Sequence, residues 1–151
     1  VTTDLETLGL VIKRAQYRNH RTMDTALRGI GVSLVQWDAL RAVERMPGAS
    51  GHDLASATFQ SDQSFGTLAS RLIERGLIDR SAGRGRRLEY TLTQHGRAVL
   101  EHGRIEATTA LRELFSPLDE AQRSALLDTL TALTRGEPAD PAREPSTSDR
   151  D

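Results

Sequence analysis

Cysteine is absent from the 151-residue chain, which excludes disulfides, thiolate metal sites, thiol nucleophiles and thiol redox switches together. Lysine is almost absent: among 20 basic residues only Lys13 is not arginine. No apolar run approaches the ~20 residues of a membrane span. The first residues, Val1 to Glu6, lack the basic and apolar regions of a signal peptide. These absences predict a soluble, cytoplasmic protein. Catalytic motifs are missing too. There is no phosphate-binding G-x-x-x-x-G-K, no zinc-type H-E-x-x-H, no nucleophile elbow and no dinucleotide glycine pattern. His95, His102 and Glu106 are too few to define a metal site without cysteine. No enzyme, cofactor or metal is therefore expected.

What is present suffices for one domain and a tail. Apolar residues make up 37% of the chain, and a chain of this length buries about 68–70% of its unfolded surface without a covalent staple. The net charge of -1 hides an uneven distribution. From Glu137 to Asp151 five acids meet two arginines, and no side chain larger than alanine is apolar. That composition cannot offset its ordering entropy, so 137–151 is expected to be a disordered tail. From Arg71 to Arg104 eight arginines face four acids, and Arg80 to Arg87 holds four arginines with no acid. A bias confined to one segment marks a site rather than general solubility.

Periodicity and caps order the elements. Leu5, Leu8, Ile12 and Ala15 sit at helical spacing behind Asp4, with Gly29 and Gly31 as the stop. Ser33-Leu-Val-Gln36 is a capping box opening a helix with Leu34, Trp37, Leu40 and Val43 on one stripe. Ser50-Gly-His-Asp53 opens a short third helix. After a turn at Phe59–Ser61, Asp62 is read as the cap of a fourth, with Phe65, Leu68, Ala69, Leu72 and Ile73 inward and Gly76 at its end. The period then becomes two: residues 77–81 and 87–92 read as strands around the glycine-rich Ala82–Arg86, with Leu88, Tyr90 and Leu92 on one face. Thr93 caps a long fifth helix reaching Phe115, and Ser116-Pro-Leu-Asp119 is read as the start of a leucine-rich sixth.

Two short helices joined by a tight turn and followed by a basic hairpin spell a winged helix–turn–helix. A helix fits the major groove of duplex DNA and reads base edges with its N-terminal residues. The predicted contacts are Ser61, Gln63, Ser64 and Thr67, with Asp62 and Gly66 also facing outward. Arg71 and Arg75 are placed toward phosphates, and Arg84, Arg86 and Arg87 at or beside the wing tip. An amphipathic helix and a charged hairpin also occur without DNA; their combination in this order favours a double-stranded DNA partner.

Leu54-Ala55, the run Leu68 to Arg80 with Arg71-Leu72-Ile73-Glu74-Arg75-Gly76-Leu77-Ile78-Asp79, then Arg86 and Leu92-Thr93-Gln94-His95-Gly96, resemble the MarR (multiple antibiotic resistance regulator) proteins. Trp37 within Gln36–Leu40 fits the family's second helix, and the likeness covers about residues 5–135. It implies an obligate homodimer joined by the first, fifth and sixth helices, a pseudo-palindromic operator, and release by a small ligand. Two departures stand out. Arg84 replaces the aspartate that the family wing usually carries two residues before the arginine matched by Arg86, and Thr67 stands where many relatives have arginine.

A dimer is also expected from the residues, because the fifth and sixth helices carry more apolar stripe than so small a wing domain can cover; packing within one chain is the alternative. The expected fold is mainly α with a small β-hairpin, in one MarR-like domain over 1–136. Residues 33–92 form the winged helix–turn–helix, and 5–30 and 93–135 the dimerisation helices. The candidate effector site takes Arg14, Tyr17, Arg18, His20 and Arg21 from the first helix beside Trp37, suiting a small aromatic carboxylate; a solvated basic stripe is the plainer reading. The expected function is a homodimeric repressor released by such a ligand, with a winged-helix protein-interaction module as the alternative.

Overall fold

The computed structural model describes residues 1–85 and 87–135; the expectations for Arg86 and for the tail over 137–151 lie outside the described residues. The elements run α1 (Leu5–Arg28), α2 (Leu34–Arg45), α3 (Gly51–Ala57), α4 (Asp62–Glu74), β1 (Ile78–Ala82), β2 (Leu88–Leu92), α5 (Gln94–Leu114) and α6 (Glu120–Leu133). The strands form an antiparallel pair from Ile78 opposite Leu92 to Ala82 opposite Leu88. Among the described residues no helix is long and apolar enough to cross a membrane.

Local chemistry fixes most of the boundaries. Asp4 accepts the Glu6 amide at the start of α1. Both expected boxes close: Ser33 and Gln36 exchange hydrogen bonds with each other's backbone, as do Ser50 and Asp53. At the end of α4, Gly76 takes φ +70°, and the Gly76 and Leu77 amides donate back to the Ile73 and Leu72 carbonyls. This double closure turns the chain directly into β1.

Two starts differ from expectation. Ser61, not Asp62, caps α4: its backbone is extended and its hydroxyl accepts the Ser64 amide at 3.1 Å. Asp62 is the first helical residue, where its charge complements the helix dipole. Likewise Asp119, not Ser116, caps α6 in a reciprocal box with Gln122. Residues 115–118 are taken up by the corner between helices, where the Leu118 amide donates to the Phe115 carbonyl.

The core lies between α2, α3, α4, the hairpin root and the first half of α5. Its largest fully buried side chains include Leu27, Leu40, Leu54, Phe65, Leu72, Leu77, Ile78 and Leu100. Phe65 of the fourth helix meets Tyr90 of the wing edge-on, ring centroids 5.9 Å apart. Tyr90 and Leu92 are buried as the alternation requires, whereas Leu88 lies beyond the core and is exposed. α5 approaches closely because two positions lack a side chain: a Cβ at Gly96 would stand 1.9 Å from the Leu77 carbonyl oxygen, and one at Gly103 2.2 Å from Trp37 Nε1.

α1 gives only Leu27 to the buried set, and α6 gives nothing. Leu5, Leu8, Val11 and Ile12, Ile105, and Leu126, Leu127, Leu130 and Leu133 are exposed in the single chain, Leu133 at 63%. These are the stripes that the sequence carries in excess of its core.

Candidate nucleic-acid interface

The core contacts point one side of α4 inward through Phe65, Ala69 and Leu72. Helical geometry then turns Ser61, Asp62, Gln63, Ser64, Gly66, Thr67 and Arg71 to solvent, where all are exposed. The hydroxyls are already oriented. Ser61 donates to the Ser64 hydroxyl at 2.9 Å, which leaves the Ser64 hydrogen for an outside acceptor. Thr67 donates to the Gln63 carbonyl at 3.1 Å, turning its remaining lone pair and methyl outward. Gly66 has open space where a Cβ would sit, so a base edge can approach the helix backbone there. Asp62 would repel phosphate, yet its carboxylate meets His52 Nδ1 at 2.9 Å. That hydrogen bond and the adjacent charge raise the His52 pKa above its ordinary value, so the pair carries less negative charge than Asp62 alone.

The basic segment divides by role. Arg75, expected at a phosphate, donates to the Gly31 carbonyl at 2.8 Å and to Gln36 at 3.3 Å, tying the end of α4 to the α1–α2 corner. Arg97 donates to the Leu92 carbonyl. Arg104 bridges Glu44 of α2 and Glu101 of its own helix, and these partners raise its pKa further. Arg87, an expected DNA contact, is paired with Asp53 of α3 at 3.0 Å. Among the described residues Arg71, Arg80 and Arg84 make no ion pair, and all three are exposed. Of the eight arginines from Arg71 to Arg104, four thus serve as scaffold and three are free surface, Arg86 lying outside the described residues.

A MarR family model matches residues 30–88, the span from the α1–α2 corner through the wing. HTH-type transcriptional repressor Rv2887 of Mycobacterium tuberculosis is 27% identical over 118 residues, covering 77% of this chain and 85% of that protein. A probable transcriptional regulator from Pseudomonas aeruginosa, in its crystal structure, shares 30% identity with a TM-score of 0.74, covering 83% of this chain and 95% of that one. The chain belongs to the MarR family. A crystal structure of Rv2887 in complex with p-aminosalicylic acid superposes with a TM-score of 0.71 at 26% identity, covering 83% and 97% of the two chains. The fold is accordingly that of the winged-helix MarR structures.

In this MarR chain the expected effector residues do not all come together. An open cavity of about 580 Å³ between α1 and α5 is lined by Tyr17, Arg18, Arg21, Thr22, Thr25, Ala26, Ala110, Glu113 and Leu114. Arg21 stands 5.7 Å from the centre of the Tyr17 ring. Arg14 and His20 are exposed elsewhere on α1. Trp37 is a correction: it is 4% exposed in the core, its indole N–H donates to the Leu100 carbonyl at 3.2 Å, and Arg41 covers its face. An indole held this way has no donor left for a ligand. The sequence reading missed Thr22 and Thr25, although they continue the Arg18 stripe at helical spacing. It also missed His52 and Asp53 as partners of the reading elements; no local pattern reveals a pairing across 34 positions.

Proposed function

We propose that the chain is a homodimeric repressor that binds a pseudo-palindromic operator and is released by a small aromatic acid. The observation that carries this reading is the head built by α3, α4 and the hairpin. It has a solvent-facing helix start of small hydrogen-bonding residues, and Arg71, Arg80 and Arg84 are exposed with no ion pair among the described residues. Ser61, Gln63, Ser64 and Thr67 read base edges, while Arg71 and Arg84, with Arg86, meet the backbone or the minor groove.

The uncovered stripes of α1, α5 and α6 support a two-fold dimer. Its symmetry sets two heads about 34 Å apart, one turn of the duplex. Residues 33–92 serve as the reading unit, and 5–30 with 93–135 as dimerisation helices, within one domain over 1–136. Such a regulator acts in the cytoplasm. The cavity between α1 and α5 supplies Arg18 and Arg21 for a carboxylate and Tyr17 for a ring, in keeping with the p-aminosalicylic acid complex of the mycobacterial relative.

The direct test is binding of the purified protein to duplexes tiled from the DNA beside its own gene, against random duplex, over a salt series. A selected duplex bound far more tightly than random DNA supports the reading. Indifference to every duplex at low salt overturns it and leaves the protein-interaction module.

A further inference from the structure

We propose that Arg87 is a positioning residue of the wing: gripped by Asp53 of α3, it sets the angle at which the hairpin tip presents Arg84 to a duplex. The inference deepens the DNA-binding reading and rests on it.

Among the described residues the hairpin is a two-stranded sheet with no third strand. Its root is fixed by Tyr90, Leu92 and Ile78 in the core. Beyond the root, Ser81, Ala82, Arg84, Gly85, Arg87 and Leu88 are exposed, so among the described residues no apolar packing steadies the tip. Among the described residues, one charged link crosses from that end of the hairpin to the helices: Arg87 Nη2 donates to Asp53 Oδ2 at 3.0 Å. No acid lies between Arg80 and Arg87; the nearest carboxylate of the hairpin, Glu89, lies against Gly83, and Arg87 pairs with Asp53.

The anchor on α3 is itself held. The same Asp53 oxygen accepts from the Ser50 hydroxyl at 2.7 Å and the Ser50 amide at 3.1 Å. Its place is therefore set by the start of α3 whether or not Arg87 is there. On the wing, the Gly83 amide donates to the Arg87 carbonyl at 2.6 Å, so fixing Arg87 also fixes the loop that carries Arg84. The residue beside Asp53, His52, holds Asp62 of α4. One turn of α3 is thus linked to both reading elements, and it sets the wing relative to the recognition helix.

The competing role is a phosphate contact, with Arg87 leaving Asp53 when DNA arrives. The two roles predict opposite signs for the same substitution. If Arg87 serves phosphate, Asp53 is a rival and a source of repulsion, and Asp53→Asn tightens binding to every duplex. If Arg87 positions the wing, Asp53→Asn weakens operator binding although it removes a negative charge from the DNA-facing side.

The experiment measures operator and random-duplex affinity across salt for the full chain, Asp53→Asn, Arg87→Gln, the double variant and Arg84→Ala. Asparagine keeps an acceptor for Ser50, and the thermal midpoint reports folding; Arg87→Gln leaves the cap untouched. Expected is a loss of about two- to five-fold per wing for either single variant, the range of an exposed ion pair. The double variant is no weaker than the singles, and the salt slope is unchanged. Arg84→Ala, by contrast, flattens the slope by about one per wing. Tighter binding by Asp53→Asn, or a slope reduced by Arg87→Gln, overturns the proposal.

Amide exchange at Gly83 in the DNA-free protein separates this failure from that of the DNA reading. Both single variants accelerate it if the strap exists, even in a protein that binds no duplex. Unchanged exchange sinks the strap alone.

Discussion

At Gly103 an added Cβ would stand 2.2 Å from Trp37 Nε1 and 2.6 Å from Cδ1. The indole cannot slide aside without losing its hydrogen bond to the Leu100 carbonyl. Overpacking of this kind costs about 1–3 kcal/mol, more than the ~1 kcal/mol that alanine gains over glycine in a helix. Gly103→Ala should therefore lower the thermal midpoint. At Gly66 nothing lies within 4 Å of the same atom, so Gly66→Ala should raise stability by about 0.5–1 kcal/mol. Its methyl then stands where a base edge would approach, and operator binding should fall while the protein becomes more stable. A Gly66→Ala protein with unimpaired operator affinity would place the groove contact elsewhere.

The same scale holds a titration. Asp62 raises the His52 pKa, first through the side-chain hydrogen bond and then through its charge. The folded state thus holds this proton more tightly than the unfolded chain. The stabilisation is complete below the ordinary imidazole value near 6.5 and is lost as pH rises through the raised one. The His52 resonances should titrate above that value in the native protein and return toward it in Asp62→Asn. An unshifted titration in the parent would mean that the pair does not persist in solution.

Among the elements, the starts of α2, α3 and α5 were legible because each rests on a cap within three residues, such as Ser33 with Gln36 or Thr93 with the Gly96 amide. The starts of α4 and α6 were misplaced because two acceptors compete within a few positions. Backbone extension at Ser61 and at Asp119, which sequence does not display, decides between them. Trp37 shows a related limit: its stripe fixed that it faces inward, but not that α5 would close over it at Gly103. The partners of Arg75 and Arg87 were illegible for a further reason, since each lies more than 30 positions away.

The apolar excess, in contrast, was visible as leucines without a core, and it yields a prediction at this scale. α6 buries nothing in the single chain, so Leu126→Glu with Leu130→Glu should leave the head folded while splitting the dimer. Sedimentation should report single chains. Operator affinity should drop about 100-fold or more, as two linked half-sites become independent ones. A folded variant that still sediments as a dimer would move the interface away from α6.

For the whole molecule, an effector between α1 and α5 can weaken DNA binding only if it prefers the arrangement that spaces the two heads wrongly for the operator. This gives a reciprocal expectation. If p-aminosalicylate lowers operator affinity by some factor, the operator must lower p-aminosalicylate affinity by the same factor, typically about 5–150. Arg18→Ala and Arg21→Ala should abolish both effects together, because the two guanidinium groups line the cavity and lie outside the head. Their DNA affinity without the effector should match that of the parent. Calorimetry of p-aminosalicylate binding to the free protein and to the operator complex decides the matter. Equal affinities would show a ligand indifferent to head spacing, which by the same reciprocity cannot release the DNA.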